Sequence, residues 1–144
     1  MRTFTTACLL VLLALGCQKY TVDNLPAEHL RFGTKGGVTG GGREYVLLLD
    51  SGRLLFDGEY SDELEKVGKL TKAELTAVRA DLTKIDFSAK SLPNNYTTSL
   101  VYHHDGAEER LAWRRPGDAP SPVADECYDH LMAAVRRLRK TDRD

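Results

Sequence analysis

The dipeptide Asp105-Gly106 separates two runs of alternating character, residues 97–104 and 107–114. A two-residue connection of this composition favours a type I′ turn, because both central positions need positive φ and Asp and Gly tolerate it. A hairpin closed in this way sets Leu100 opposite Leu111 and Thr98 opposite Trp113, so these residues mark one buried face. Asp50-Ser51-Gly52 makes a second hairpin from residues 44–50 and 53–57. With Ser51-Gly52 as its loop, Leu49 faces Leu54 and Leu47 faces Phe56, and Tyr45 lies on the same side. Two hairpins with an apolar face need something to cover it.

Two amphipathic helices supply the cover. Thr71 and Glu74 form a capping box, and Leu70 and Leu75 flank it as a hydrophobic staple. Leu75, Val78, Leu82 and Ile85 then recur at helical spacing. After a Pro/Gly-rich break at 115–120, Ser121 and Pro122 provide an N-cap and a first-turn proline. Cys127, Leu131, Val135 and Leu138 form the stripe of that helix, and Arg136, Arg137, Arg139 and Lys140 suit the negative end of its dipole. A short strand at 29–33 precedes these elements, with Leu30 and Phe32 alternating against charged neighbours. The order is then β-ββ-α-ββ-α, an α+β two-layer sandwich whose mostly antiparallel sheet carries both helices on one face. The opposite face exposes Val46, Leu48 and Leu55, beside Val101 and Tyr102, and such a patch is a docking surface.

The chain opens with Met1-Arg2, an uncharged run of thirteen residues from Phe4 to Gly16, and Ala14-Leu15-Gly16-Cys17. As a helix that run spans roughly 20 Å, short of the ~30 Å hydrocarbon core of a bilayer, and its flanks suit cleavage. These residues resemble the lipobox-type signal peptide of the bacterial lipoprotein class, with Ala14 standing where Leu is commonest. The resemblance implies a removed leader (1–16), a lipidated Cys17 with a short tether (17–28), and a single α+β domain (29–144). It also implies a cell-envelope location, and Gln18 rather than Asp after the cysteine implies the outer membrane, facing the periplasm. Two or more acyl chains hold a protein stably on a membrane. In element order, residues 29–138 loosely resemble small uncharacterised domains carried by bacterial lipoproteins, which implies a fold and no activity.

Charge is balanced, with 20 Lys and Arg against 21 Asp and Glu, so no overall field favours nucleic acid. Of the three cysteines, Cys8 leaves with the leader and Cys17 is acylated, which strands Cys127 without a disulfide partner.

Residues 33–42 hold six glycines. No G-x-x-x-x-G-K-[ST] is present and the run leads into a strand, which excludes the usual phosphate loop. A bulged connection passing close to the sheet and a partner-binding loop both remain open. Gly36, Gly37, Gly40, Gly41 and Gly42 are candidate partner-binding positions for an envelope protein or anionic polymer. Arg114, Arg115, Arg136 and Arg137 join them if the last helix packs beside the last strand, the alternative being a solvated helix end. His103 and His104 are neighbours in a strand, so they point to opposite faces and cannot chelate one ion together. His103 is expected to pair with Glu108 across the hairpin, His130 to face outward, and Cys127 to serve as a small hydrophobe. No catalytic residue, metal ligand or cofactor is assigned. The expected function is a membrane-anchored binding module. The alternatives are a small hydrolase using His103 or His104 with a carboxylate, and a purely structural envelope lipoprotein.

Overall fold

The computed structural model describes residues 19–37, 41–58, 60–90, 95–114 and 116–142. The strands are β1 (His29–Gly36), β2 (Gly42–Leu48), β3 (Arg53–Asp57), β4 (Glu65–Lys69), β5 (Tyr96–His104) and β6 (Ala107–Trp113), and the helices are α1 (Lys72–Leu82) and α2 (Pro122–Thr141). The strands form one antiparallel sheet in the order β4-β3-β2-β1-β5-β6. Both helices cover one face, which is the expected two-layer α+β sandwich.

The β5–β6 hairpin has the expected register, Leu100 on Leu111 and Thr98 on Trp113. Asp105 and Gly106 have φ of 50° and 74°, as a type I′ turn demands. The first hairpin needs a correction. Leu47 pairs with Leu54 and Tyr45 with Phe56, because the turn takes four residues, 49–52, and the Gly52 N–H donates to the Leu48 carbonyl at 2.8 Å. The slip is two residues, so every side chain keeps its expected face.

Strand β4 was not expected from the sequence. It pairs with β3 through a bulge between Leu54 and Leu55 and carries one large apolar residue, Val67. Its Gly68 lies under Leu138 of α2, where a Cβ would press on that side chain at 2.8 Å. β4 therefore widens the sheet so that the far end of α2 has a floor.

The main core is the layer between sheet and helices. Leu30, Phe32, Tyr45, Leu47, Leu54, Leu100, Leu111 and Trp113 meet Val78 and Leu82 of α1 and Cys127, Leu131 and Val135 of α2. The expected capping box starts α1, with the Thr71 N–H donating to Glu74 Oε2 at 2.7 Å and the Glu74 N–H to Thr71 Oγ1 at 3.2 Å. At α2, Pro122 takes the first turn, but the Ser121 side chain makes no cap. The Asp125 carboxylate instead accepts from the Gly117 and Ala119 amides at 3.0 and 3.2 Å, tying the preceding loop to the helix.

The second correction concerns the opposite face. Residues 19–28, expected to be a tether, lie along it as a strap. Tyr20 and Leu25 pack on a separate cluster of Val46, Leu48, Leu55 and Leu64, so the apolar patch expected to be a docking surface is covered by the chain itself. The strap starts beside β4, where Thr21 bridges Glu63, the Leu64 N–H donates to the Tyr20 carbonyl at 2.9 Å, and Lys19 lies 3.1 Å from Glu63. It ends at His29, whose Nδ1 donates to the Pro26 carbonyl at 2.7 Å.

Candidate binding face

What the strap leaves bare is the half of the open face over β1, β5 and β6. Alternation along these strands turns Arg31 and Lys35, Ser99, Val101 and His103, and Glu108 and Arg110 outward. They line a concavity of about 710 Å³ that runs from Gly36 and Asn95 to His103 and Glu108.

Its charges fall into two groups. Arg31 is committed, at 3.0 Å from both Glu44 and Asp57. Burial pushes the Asp57 carboxyl up and Arg31 pulls it down, leaving it above its ordinary value. Among the described residues, Lys35 and Arg110 have no carboxylate within ion-pair distance, so two cations in the concavity are available to a ligand.

At the other end His29 and His103 stack with ring centroids 4.2 Å apart, and His103 Nε2 lies 3.6 Å from Glu108 as the hairpin register led us to expect. Burial holds His29 below its ordinary value; the bond to Pro26 opposes this, and His103 and Arg31 reinforce it. His104 points to the helix side, stacks on Tyr102 at 4.2 Å and lies 2.8 Å from Glu109, whose hydrogen bond raises its pKa. The two histidines thus diverge as expected. Neither ring is hydrogen-bonded to a hydroxyl among the described residues. Ser99 shares the face of His103 but stands four residues along the strand, roughly 13 Å at ~3.3 Å per residue, beyond the reach of a nucleophile–base pair.

Crowding between strands explains Gly33, Gly36 and Gly42, whereas a Cβ on Gly37 would meet nothing within 4 Å. A Cβ on Gly36 would collide with the Asn95 carbonyl, and one on Gly42 with the Thr34 carbonyl. The Gly36 N–H donates to Gly41 at 3.0 Å and the Gly37 N–H to Asn95 at 2.7 Å, so these amides are used internally and are not free to cradle an anion. Gly36 nonetheless lines the concavity. Gly40, Arg115 and Cys17 lie outside the described residues.

The arginines do not form the single patch considered above. Arg137 is held by Glu74 through bonds of 2.9 and 2.7 Å. Burial favours the protonated Glu74, but the bonds from Arg137 and Thr71 outweigh it and hold the carboxyl below its ordinary value. Arg139 lies over the rings of Tyr45 and Phe56, 5.4 and 4.9 Å from their centroids. Arg114 is exposed at the end of β6. Arg136 lines a second hollow, of about 540 Å³, with Gly42, Arg43, Tyr96 and Tyr128, so Gly42 and Arg136 do come together.

Cys127 is fully buried on its apolar stripe, and burial pushes its thiol up to about 12, so the reactive thiolate is absent at neutral pH. His130 faces outward with Nδ1 3.0 Å from Asp81, linking the two helices. No group of three or more potential metal ligands occurs among the described residues. No helix among them is long and apolar enough to cross a membrane.

Lys35, Ser99 and Arg110 were not singled out in the sequence. The signal available was the outward alternation of Thr97, Ser99 and His103 opposite Glu108 and Arg110, which marks a polar strand face rather than an apolar one. In comparison with known proteins, no family model matches this chain and no curated protein matches it in sequence.

Proposed function

We propose that this chain is a lipid-anchored envelope protein that binds an extended protein segment or polymer strand along the bare half of its sheet. The observation that carries the reading is the asymmetry of one sheet face. The chain covers the apolar half itself and leaves a polar concavity of about 710 Å³ beside it. Lys35 and Arg110 favour an acidic partner, since a cation without a carboxylate neighbour gains most from a charge-assisted bond. The separation of Ser99 from His103 argues against a serine nucleophile, and a hydrolase using His103 with Glu108, 3.6 Å apart in the same concavity, is the second reading. The anchor rests on the leader and Cys17.

The test is photo-crosslinking in intact cells from position 99, with exposed position 80 on α1 as the control for the opposite side. A specific adduct from 99 alone, weakened by Lys35→Glu with Arg110→Glu, is expected. Equal capture from both positions, or none from 99, overturns the reading.

A further inference from the structure

We infer that the loop end of the sandwich rests on the lipid leaflet that holds the anchor, an inference that depends on acylation of Cys17. The pairing register defines this end. Level with or beyond the row Asp57, Glu44, Gly33, Ser99 and Ala112 lie the β1–β2 connection, the β3–β4 connection, Asn95 leading into β5, and the segment leaving β6. The strap begins here too, because Thr21 bridges Glu63 in the β3–β4 connection. Lys19 is two residues from Cys17, so at most ~7 Å of extended chain separates the folded body from the acylated thiol. A link that short keeps this end against the membrane.

The surface at this end suits that position. Three large apolar or aromatic side chains are exposed among the described residues, namely Val22 at 41%, Tyr60 at 99% and Tyr96 at 47%. Val22 adjoins the Thr21 bridge, Tyr60 lies in the β3–β4 connection, and Tyr96 pairs with Gly36 at the start of β5. All three are therefore at the loop end. The opposite end presents the turns at 49–52 and 105–106, where the exposed side chains include Asp50 and Asp105. Tyrosine suits the headgroup layer because its ring is apolar and its hydroxyl stays hydrated.

Charge at the loop end is mixed, since the exposed Asp23 and Asp62 lie there too, but other carboxylates there are paired. Glu44 and Asp57 are held by Arg31 and Glu63 by Lys19, whereas Arg43, Arg114 and Arg136 have no carboxylate within ion-pair distance among the described residues. Those three guanidinium groups fit lipid phosphates, for which arginine forms paired, planar hydrogen bonds. The strands then run away from the leaflet, and the concavity starts at the membrane and opens along the sheet.

The test uses the full chain purified from membranes with its lipid intact and reconstituted in phosphatidylethanolamine/phosphatidylglycerol vesicles. Cys127 is buried and an acylated Cys17 has no thiol, so Val22→Cys, Tyr60→Cys and Tyr96→Cys label selectively with an environment-sensitive fluorophore; Ser51→Cys and Ala107→Cys report the opposite end. All five sites are on the surface, and circular dichroism matching the parent verifies the fold. Blue-shifted emission that is lost on adding spin-labelled lipids at 22, 60 and 96, but not at 51 and 107, is expected. Water-like emission at all five, with Cys17 acylated by mass spectrometry, overturns the docking while leaving the anchor. An unmodified Cys17 overturns both.

Discussion

The two halves of the open face belong to one sheet and differ in one respect: what their outward side chains require. Over β2 and β3 the outward residues are Val46, Leu48 and Leu55, fully or nearly fully buried under Tyr20 and Leu25. Over β1, β5 and β6 they include Arg31, Lys35, Ser99, His103 and Arg110, with His29, Val101 and Ala112 buried beside them. Water satisfies the second set and not the first, so the chain spends its strap on the apolar half. A sheet face is thus free to bind only where its residues do not need their own cover.

The largest effect expected is at the covered half. Leu48→Ala removes a fully buried side chain from a small cluster with few neighbours able to refill the space, at a cost of about 2–5 kcal/mol. Urea denaturation measures it. A change below the bottom of that range would mean that the strap is not a packed layer and that the two halves differ less than their side chains suggest.

Next comes the strap itself. Leu25 is half-buried, so Leu25→Ala is expected to cost about 1–2 kcal/mol, part of the value for fully burying a leucine. Because the strap is one edge of the fold, the loss should appear locally. Exchange of the Leu64 amide, which bonds to the Tyr20 carbonyl, should speed up more than exchange of amides under the helices. Uniform acceleration would show that the strap opens only with the whole domain.

These two halves also show how much of the molecule was legible in the sequence. The β5–β6 hairpin was legible in register, because an Asp-Gly turn has few geometries. The first hairpin was legible in face but not in register, since a four-residue turn shifts the pairing by two and leaves alternation unchanged. Strand β4 was hidden because Glu65, Lys66, Gly68 and Lys69 surround one valine; its place is set by Leu138 above Gly68, a contact between residues seventy positions apart and so in no local window. The strap was hidden for a related reason: Tyr20 and Leu25 are isolated apolar residues in a polar stretch, and only the assembled sheet shows what they cover. The bare face was visible as polar alternation, whereas the more conspicuous glycine run reflects close strand approach at Gly33, Gly36 and Gly42.

His29 stands where the strap joins β1, and it gives the fold a pH dependence. Burial holds its folded pKa below the ordinary 6.5, so the unfolded chain takes up a proton at a higher pH than the folded chain does. Stability therefore falls as pH drops from about 6.5 through the depressed value, then levels off. His104, on the other side of the sheet, has a raised pKa and works in the opposite sense: its contribution is full below 6.5 and is lost as pH rises through the raised value. His29→Asn keeps a donor for the Pro26 carbonyl but does not titrate, so it should flatten the acid side of the stability profile and leave the alkaline side unchanged. An unaltered acid side would place the proton uptake elsewhere.

The smallest stability change is expected in the bare half, and it decides whether that half was left open for a partner. Lys35 and Arg110 are without ion-pair partners among the described residues, and Arg110 is exposed, so Lys35→Ala and Arg110→Ala should each shift stability by within about 0.5 kcal/mol. If their purpose is recognition, the same substitutions should reduce crosslinking from position 99, and the pair together should reduce it more than either alone. The dependence on salt separates this from a packing effect. Capture that relies on two cations should weaken as ionic strength rises, because charges exposed to water are screened over about 8–10 Å near physiological salt. Crosslinking insensitive to both substitutions and salt would make these cations solubilising groups, and the two halves of the face would then differ in burial alone.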